Sequence, residues 1–390
     1  MNDASPVKWH LAHTTWFFET FVLAQEVSTF RPFHPAYRML FNSYYVGVGE
    51  RMPRAERGVL SRPSLDEVLA YRRHVDEQMG GTMSAGELPP DLLDLIELGL
   101  HHEQQHQELI LTDLKHHFSR SPLLPAYRNG MDSDTSVSPT QIAADFVGFA
   151  GGHAEIGHDG MSFAFDNELP RHGVWLAPFE LATRPVSNRE YLAFIGDGGY
   201  RRPELWLSDG WDTLSRERWT APLYWNLRDS EWLNFTLHGE HALQPDEPVC
   251  HVSYYEADAY ARWAGARLPD EAEWERVAQS TLQGGTTTPG NFLESALFHP
   301  ASVAAIPEHI EQLFGDTWEW TRSAYLPYPG FRQAAGAVGE YNGKFMINQM
   351  VLRGGSCATP QNHIRPTYRN FFPPAVRWQF SGVRLARDIF

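Results

Sequence analysis

The chain has 390 residues, 42% of them apolar, with 13 Trp and 23 Phe, enough to fill two hydrophobic cores. Its 48 acidic against 32 basic residues leave a net charge of −16, which argues against nucleic acid or an anionic membrane surface as a partner and points to a small molecule or a protein. The only cysteines, Cys250 and Cys357, rule out a disulfide framework and a cysteine-based zinc site. With no apolar run of membrane-span length and no signal-peptide order over Met1 to Trp9, the expectation is a soluble cytoplasmic protein.

The N-terminal third reads as helices. Ser5 before Pro6 predicts an N-cap with proline at the first helical position, and Trp9, Phe17 and Phe21 then give an aromatic, largely buried helix to about Gln25. Between Arg31 and Gly58 the chain is rich in Pro, Gly and aromatics, and Phe41-Asn42-Ser43-Tyr44-Tyr45 suits a short helix or a loop. A capping box, Ser64 with Glu67, announces a second helix that turns Leu65, Val68, Leu69 and Val75 inward. A third runs from about Asp91 to His117, with Leu95, Leu98, His102, His106, Leu109 and Ile110 on one stripe facing the bundle interior.

A polar stretch, Asn129 to Thr140, follows. Beyond Phe146 the texture changes to short segments with scattered Gly, Pro and Trp, and three further capping boxes stand at Ser187/Glu190, Ser253/Glu256 and Asp270/Glu273. The expected organisation is α plus α+β: a helical bundle over 1–128, a linker over 129–145 and an irregular α+β domain over 146–390.

The chemistry centres on His102-Glu103-Gln104-Gln105-His106. Two histidines four residues apart put both imidazoles on one helical face, and the run formally matches the H-E-x-x-H of zinc peptidases. The downstream Gly and third His of the extended peptidase pattern are absent, Asp113 is too close to be the distant carboxylate ligand, and the flanks are helical where a substrate-aligning strand is needed. His13, on the face of the first helix that carries Trp9, Trp16 and Phe17, is a better third ligand. Three neutral imidazoles from two helices suit a divalent metal with open positions, as in Fe(II) oxygen chemistry. Taken alone, most buried histidines are hydrogen-bonded core residues, and His10, His101, His116 and His117 are read as core or surface. A pair of unpaired imidazoles one turn apart on an apolar face is costly without a metal.

Tyr44 and Tyr45 are phenols able to donate a proton, although spacing alone fits an aromatic plug equally well. In the C-terminal part, Arg369, Asn370 and Phe371 lie near Trp378, a mix of cation, amide and aromatic groups that suits a zwitterion or a quaternary ammonium, with plain packing as the alternative.

Together these segments resemble the ergothioneine-biosynthesis sulfoxide synthases, the EgtB-type non-haem iron enzymes. Ser5 to His13 with Trp16-Phe17-Phe18-Glu19, and then His102 to His106, look like the two halves of their DinB-like bundle signature. Phe165-Asp166-Asn167-Glu168, Glu204 to Trp211, Phe314 to Thr321 and Leu352-Arg353-Gly354-Gly355-Ser356 resemble their formylglycine-generating-enzyme-like, C-type-lectin-like domain. The resemblance implies that His13, His102 and His106 bind Fe(II), and that O2 oxidatively joins hercynine (Nα-trimethylhistidine) to a thiol as a sulfoxide. It also implies that Tyr45, with Tyr44, donates a proton or hydrogen bond near oxygen, and that Gln105 and Asn370 contact hercynine.

Two departures from the family pattern carry expectations. Relatives that use γ-glutamylcysteine have an Asp where this chain has Phe372, which favours free L-cysteine as the donor. Relatives also carry a helix before the Ser-Pro segment, where only Met1 to Ala4 stand here, so either another element supplies the fourth bundle helix or the sequence starts late. Cys250 and Cys357 are not where formylglycine formation needs its cysteine pair. The competing expectations are a selenoneine synthase taking a selenosugar as its selenol donor, and a non-catalytic bundle fused to a lectin-like binding module. An enzyme acting on unmethylated histidine fits less well, because such enzymes carry an appended methyltransferase domain that this length excludes.

Overall fold

The computed structural model describes residues 4–26, 30–84, 86–130, 145–282, 288–303, 306 and 308–389, so most of the expected 129–145 linker lies outside the described residues. Three helices dominate the N-terminal part: α1 (Val7–Phe17), α2 (Leu65–Ser84) and α3 (Pro90–Ser119). α1 begins one residue later than its proline suggests. Pro6 occupies the capping position without a side-chain acceptor, and the Ser5 backbone N–H donates instead to Asp113 Oδ2 of α3 at 2.8 Å.

After Phe17 the helix widens into a π-helical stretch, Phe18–Leu23, before a last turn at Ala24–Glu26. Phe17 and Phe18 press against Gly99 of α3, where an added Cβ would stand 2.9 Å and 2.7 Å from their rings. A glycine at that point lets the helix carrying His13 approach the helix carrying His102 and His106.

α2 has the capping box expected of it, with Ser64 N–H donating to Glu67 Oε2 at 2.7 Å and Glu67 N–H to Ser64 Oγ at 3.3 Å. Val68 and Val75 are buried with Tyr71 and Met79, whereas Leu65 and Leu69 are exposed. The 3.6-residue period through 68, 71, 75 and 79 carries those two leucines to the outer face. In α3, Pro90 suits the first helical position and Asp91 in the first turn suits the helix dipole. Its buried stripe is Leu92, Ile96, Gly99, His102 and His106; Leu95, Leu98, Leu109 and Ile110 flank it, half-buried. Phe41 to Tyr45 is a loop after a single turn (Tyr37–Leu40), closed by Asn42, whose side chain donates to Tyr45 O at 2.9 Å and accepts from Tyr45 N at 3.1 Å.

The second part is a set of small sheets. β1 (Phe146–Phe149), β2 (Gly152–Ile156), β3 (His172–Leu176) and β4 (Phe179–Ala182) are followed by β5 (Trp225–Arg228), β6 (Glu231–Thr236) and β7 (Gly239–Ala242). Then come β8 (Trp318–Ala324), β9 (Met350–Arg353), β10 (Asn370–Phe372), β11 (Ser381–Gly382) and β12 (Ala386–Asp388). The sheets run β1-β4-β12, β2-β3, β5-β6-β7 and β10-β9-β8-β11. In the last of these, β10 pairs antiparallel with β9, setting Asn370 opposite Leu352 and Phe372 opposite Met350.

Helices α4 (Asn188–Gly196), α6 (Tyr254–Trp263) and α7 (Glu271–Thr281) start at the three capping boxes that the sequence marks, and α5 (Ser208–Glu217), which has no capping side chain, was not legible there. α3 serves both halves of the molecule: its Leu111 packs with Leu237, Cys250, Cys357 and Phe380 of the second. The fold is therefore a helical bundle joined to a β-rich α+β domain. No helix among the described residues is long and apolar enough to cross a membrane.

Candidate functional site

His13 from α1 and His102 and His106 from α3 meet in the interior, each less than a tenth exposed. Their candidate ligand atoms lie within 4.8 Å of one another, and among the described residues this is the one cluster of three such groups. The polar environment of each ring decides which nitrogen is free. His13 Nδ1 donates to Phe41 O at 2.6 Å, leaving Nε2 as a lone-pair donor. His106 Nδ1 is 2.8 Å from His10 Nδ1, again leaving Nε2, and His102 Nδ1 is a buried nitrogen with no partner among the described residues.

Burial pushes the His102 pKa down to about 4, and burial with the repulsion of its neighbours holds His13 and His106 well below the ordinary value. All three are neutral at pH 7. Three neutral imidazoles with candidate ligand atoms within 4.8 Å of one another, one of them with an orphaned buried nitrogen, fit a divalent metal ion, and nitrogen-only donors suit iron or zinc rather than calcium or magnesium.

The histidines open on a cavity of about 230 Å³ that continues into one of about 640 Å³, both touching His102, Gln105, Tyr45 and Tyr341. Tyr45 is buried, its ring stacked on Trp16 at 5.7 Å between centroids. Tyr44 lines the smaller cavity, but its hydroxyl accepts from Arg54 Nη1 at 2.6 Å. Gln105 donates to Tyr368 OH at 2.9 Å, which orients its amide. Asn370, Phe371 and Trp378 also line the smaller cavity, with Phe371 stacked on Tyr325 at 4.0 Å and Asn370 Oδ1 accepting from Phe371 N. The Asn370 side-chain NH2 has no partner among the described residues.

Arg369 is the exception among the sequence-predicted contacts. Its Nε and one Nη2 hydrogen grip the Glu271 carboxylate at 2.9 and 3.0 Å, and further N–H groups donate to Asn167 O at 2.8 Å and Leu326 O at 3.0 Å. With four of five donors committed, Arg369 braces the strand that carries Asn370 instead of offering charge to a zwitterion.

Two residues that sequence reasoning passed over, and a third that it weighed only as a metal ligand, complete the site. Arg57 is buried and lines the smaller cavity, its guanidinium 3.6 Å from the centroid of the Trp9 ring, donating to Ser43 Oγ at 2.8 Å. Its Nε has no partner, it has no carboxylate partner among the described residues, and burial lowers its pKa to about 10. Tyr341 lines both cavities and comes from the second domain. The one-turn helix Glu340–Gly343 holds it there, with Glu340 accepting from Val46 N at 2.8 Å and Gly47 N at 2.7 Å while Lys344 Nζ donates to Tyr44 O. The third is Asp113, which accepts from His10 Nε2 at 3.0 Å. Only Asp113 had a sequence signal, standing seven residues beyond His106 on the same face of α3.

The model of the DinB superfamily matches residues 1–110, and that of the sulfatase-modifying factor enzyme 1-like domain matches residues 132–389. Fold and site thus define a two-part protein in which a DinB-like bundle is capped by a sulfatase-modifying-factor-like domain. The hercynine oxygenase of Mycolicibacterium thermoresistibile is 36% identical across 99% of this chain and 88% of its own, and that of Mycobacterium tuberculosis is 40% identical across 58% and 56%. The formylglycine-generating enzyme of Thermomonospora curvata is 32% identical across 52% of this chain and 72% of its own. The chain belongs to the EgtB-type hercynine oxygenase family, the ergothioneine sulfoxide synthases.

Proposed function

We propose that the protein is a non-haem iron(II) enzyme that joins hercynine to L-cysteine with O2, forming a C–S bond at the imidazole carbon between the two nitrogens and leaving the sulfur as a sulfoxide. One hydrogen leaves that carbon and one leaves the thiol. One oxygen atom ends on sulfur and the other in water, so the four-electron balance closes. The observation that carries the reading is the convergence of three buried, neutral imidazoles, His13, His102 and His106, on a cavity also lined by Arg57, a cation with no ion-pair partner among the described residues.

Iron(II), held by those imidazoles, would supply the redox chemistry with O2. The side chains supply the rest. Gln105, fixed by Tyr368, and Asn370 orient hercynine, with Phe371 and Trp378 as apolar walls for its methyl groups. Arg57 takes the carboxylate of the thiol donor, since a buried guanidinium without a counter-ion is matched by an anionic ligand. That cation favours cysteine over a neutral selenosugar, and Phe372 offers no partner to a longer, charged dipeptide.

Tyr45 and Tyr341 hold protonated phenols at the cavity, because burial pushes both pKa values up. Each can therefore donate but not accept a proton at neutral pH. Tyr44 holds Arg54.

The test is anaerobic loading with Fe(II) and hercynine plus cysteine, γ-glutamylcysteine or a selenosugar, followed by O2 and mass spectrometry. The cysteine conjugate sulfoxide is expected. Stoichiometric iron with no coupled product from any donor would sink the proposal.

A further inference from the structure

His10 lies beside the histidine cluster and stands 96 residues from His106 in sequence, yet the two Nδ1 atoms are 2.8 Å apart. On its other side His10 Nε2 is 3.0 Å from Asp113 Oδ2, and the same oxygen accepts from Ser5 N at 2.8 Å. His10, His106 and Asp113 are all buried, at 3%, 8% and 4% exposure. The contacts therefore act in a medium where hydrogen bonds polarise one another and proton positions are tightly constrained.

The proton positions follow from the chemistry of the ends. A carboxylate only accepts, so His10 Nε2 carries a hydrogen and donates to Asp113. In a neutral His10 the Nδ1 is then a lone pair, and the hydrogen shared with His106 must sit on His106 Nδ1. That leaves His106 Nε2 deprotonated and free to bind a metal. The opposite arrangement would place a hydrogen on His106 Nε2 and block it.

We propose that Asp113 and His10 form a two-step relay that fixes the tautomer of His106 and pushes electron density towards its Nε2, making them positioning residues for the metal centre. A ligating histidine usually hands its second N–H directly to a carboxylate or carbonyl, as His13 does to Phe41 O. Here a second imidazole is inserted between ligand and carboxylate. His13 and His106 thus differ in electronic supply although both are imidazoles.

The inference rests on the metal centre proposed above, and its test separates the two. Asp113→Asn keeps an oxygen able to accept from His10 and Ser5 while removing the charge, and His10→Gln keeps an acceptor for His106 Nδ1–H while cutting the link to Asp113. Iron(II) affinity is measured anaerobically by chelator competition, and the Fe(III)/Fe(II) potential by mediated titration. Both variants are expected to bind Fe(II) about 10- to 100-fold more weakly and to have a higher potential, because a less basic ligand favours the reduced ion. His10→Phe, which supplies no acceptor, should lose more affinity than His10→Gln. Wild-type protein that takes up no iron would overturn the metal centre and this inference with it. Wild-type uptake with unchanged affinity and potential in both conservative variants overturns the relay alone.

Discussion

The carboxylate of Glu108 on α3 accepts a 2.8 Å hydrogen bond from the indole Nε1 of Trp318 on β8, two positions beyond His106 and across the boundary between bundle and β-rich domain. The same carboxylate accepts from Ser356 Oγ at 2.6 Å and Thr359 Oγ1 at 2.7 Å. Glu108→Ala removes the acceptor of three buried donors, and because Ser356 Oγ and Thr359 Oγ1 are 3.2 Å apart and can bond each other, at least two are left unpaired, each costing about 1–3 kcal/mol. The expected outcome is a loss of about 3 kcal/mol or more in chemical denaturation, with faster proteolysis of the β8 region. A variant as stable as wild type would show that water replaces the carboxylate at no cost.

Tyr341 and Tyr45 differ in how they meet the cavities: Tyr341 is half-buried on a one-turn helix, whereas Tyr45 is stacked into the bundle core on Trp16. Tyr341→Phe should lower sulfoxide formation by about 100-fold, in the range of a lost proton donor, without altering iron content. Tyr45→Phe should have a smaller effect and Tyr44→Phe, whose hydroxyl is held by Arg54, should stay within about threefold. Product ratios from single-turnover reactions check the order. Full activity in Tyr341→Phe would return that residue to packing.

The local grammar of the chain was legible. Capping boxes at Ser64, Ser187, Ser253 and Asp270 span three residues each, so sequence alone carries them, and the buried stripe of α3 pointed His102 and His106 inward. Contacts set by the approach of distant elements were not legible. Nothing in the sequence brings Tyr341 to Tyr45, or Asp113 to His10, because those pairings depend on how α1, α3 and the second domain pack. Arg369 shows the converse: next to Asn370 in sequence it looked like a substrate contact, but Glu271, 98 residues away, claims its guanidinium. Charge and proximity in sequence were visible, and the partner that neutralises the charge was not.

Arg57 carries the expected specificity for the thiol donor. A charge-assisted hydrogen bond to a carboxylate contributes about 1.5–3 kcal/mol, so Arg57→Gln should raise the KM for cysteine by about tenfold or more while leaving the KM for hercynine near its original value. Steady-state kinetics with each substrate varied in turn separate the two. An equal rise in both would mean that Arg57 supports the site as a whole through its contacts with Trp9 and Ser43.

Lys115 offers a test of stability against pH that is independent of the metal. Its ammonium is buried, donating to His251 Nε2 at 2.7 Å and lying over the Tyr224 and Phe380 rings, and burial lowers its pKa from 10.5 to about 8. Below about pH 8 both folded and unfolded chains carry the proton, and the folded state bears the whole penalty of a buried charge. Between about pH 8 and pH 10.5 the unfolded chain holds a proton that the folded chain has released, so this group makes stability rise with pH, by about 3 kcal/mol across the window. Lys115→Met removes that contribution. The constant cost of leaving His251 Nε2 without a donor does not affect the slope, and neither do groups that titrate alike in both proteins. Urea denaturation at pH 7, 8, 9 and 10 should therefore give curves that diverge, with wild type gaining on the variant as pH rises. Parallel curves would mean that Lys115 titrates alike in the folded and unfolded chains, as when water reaches its ammonium.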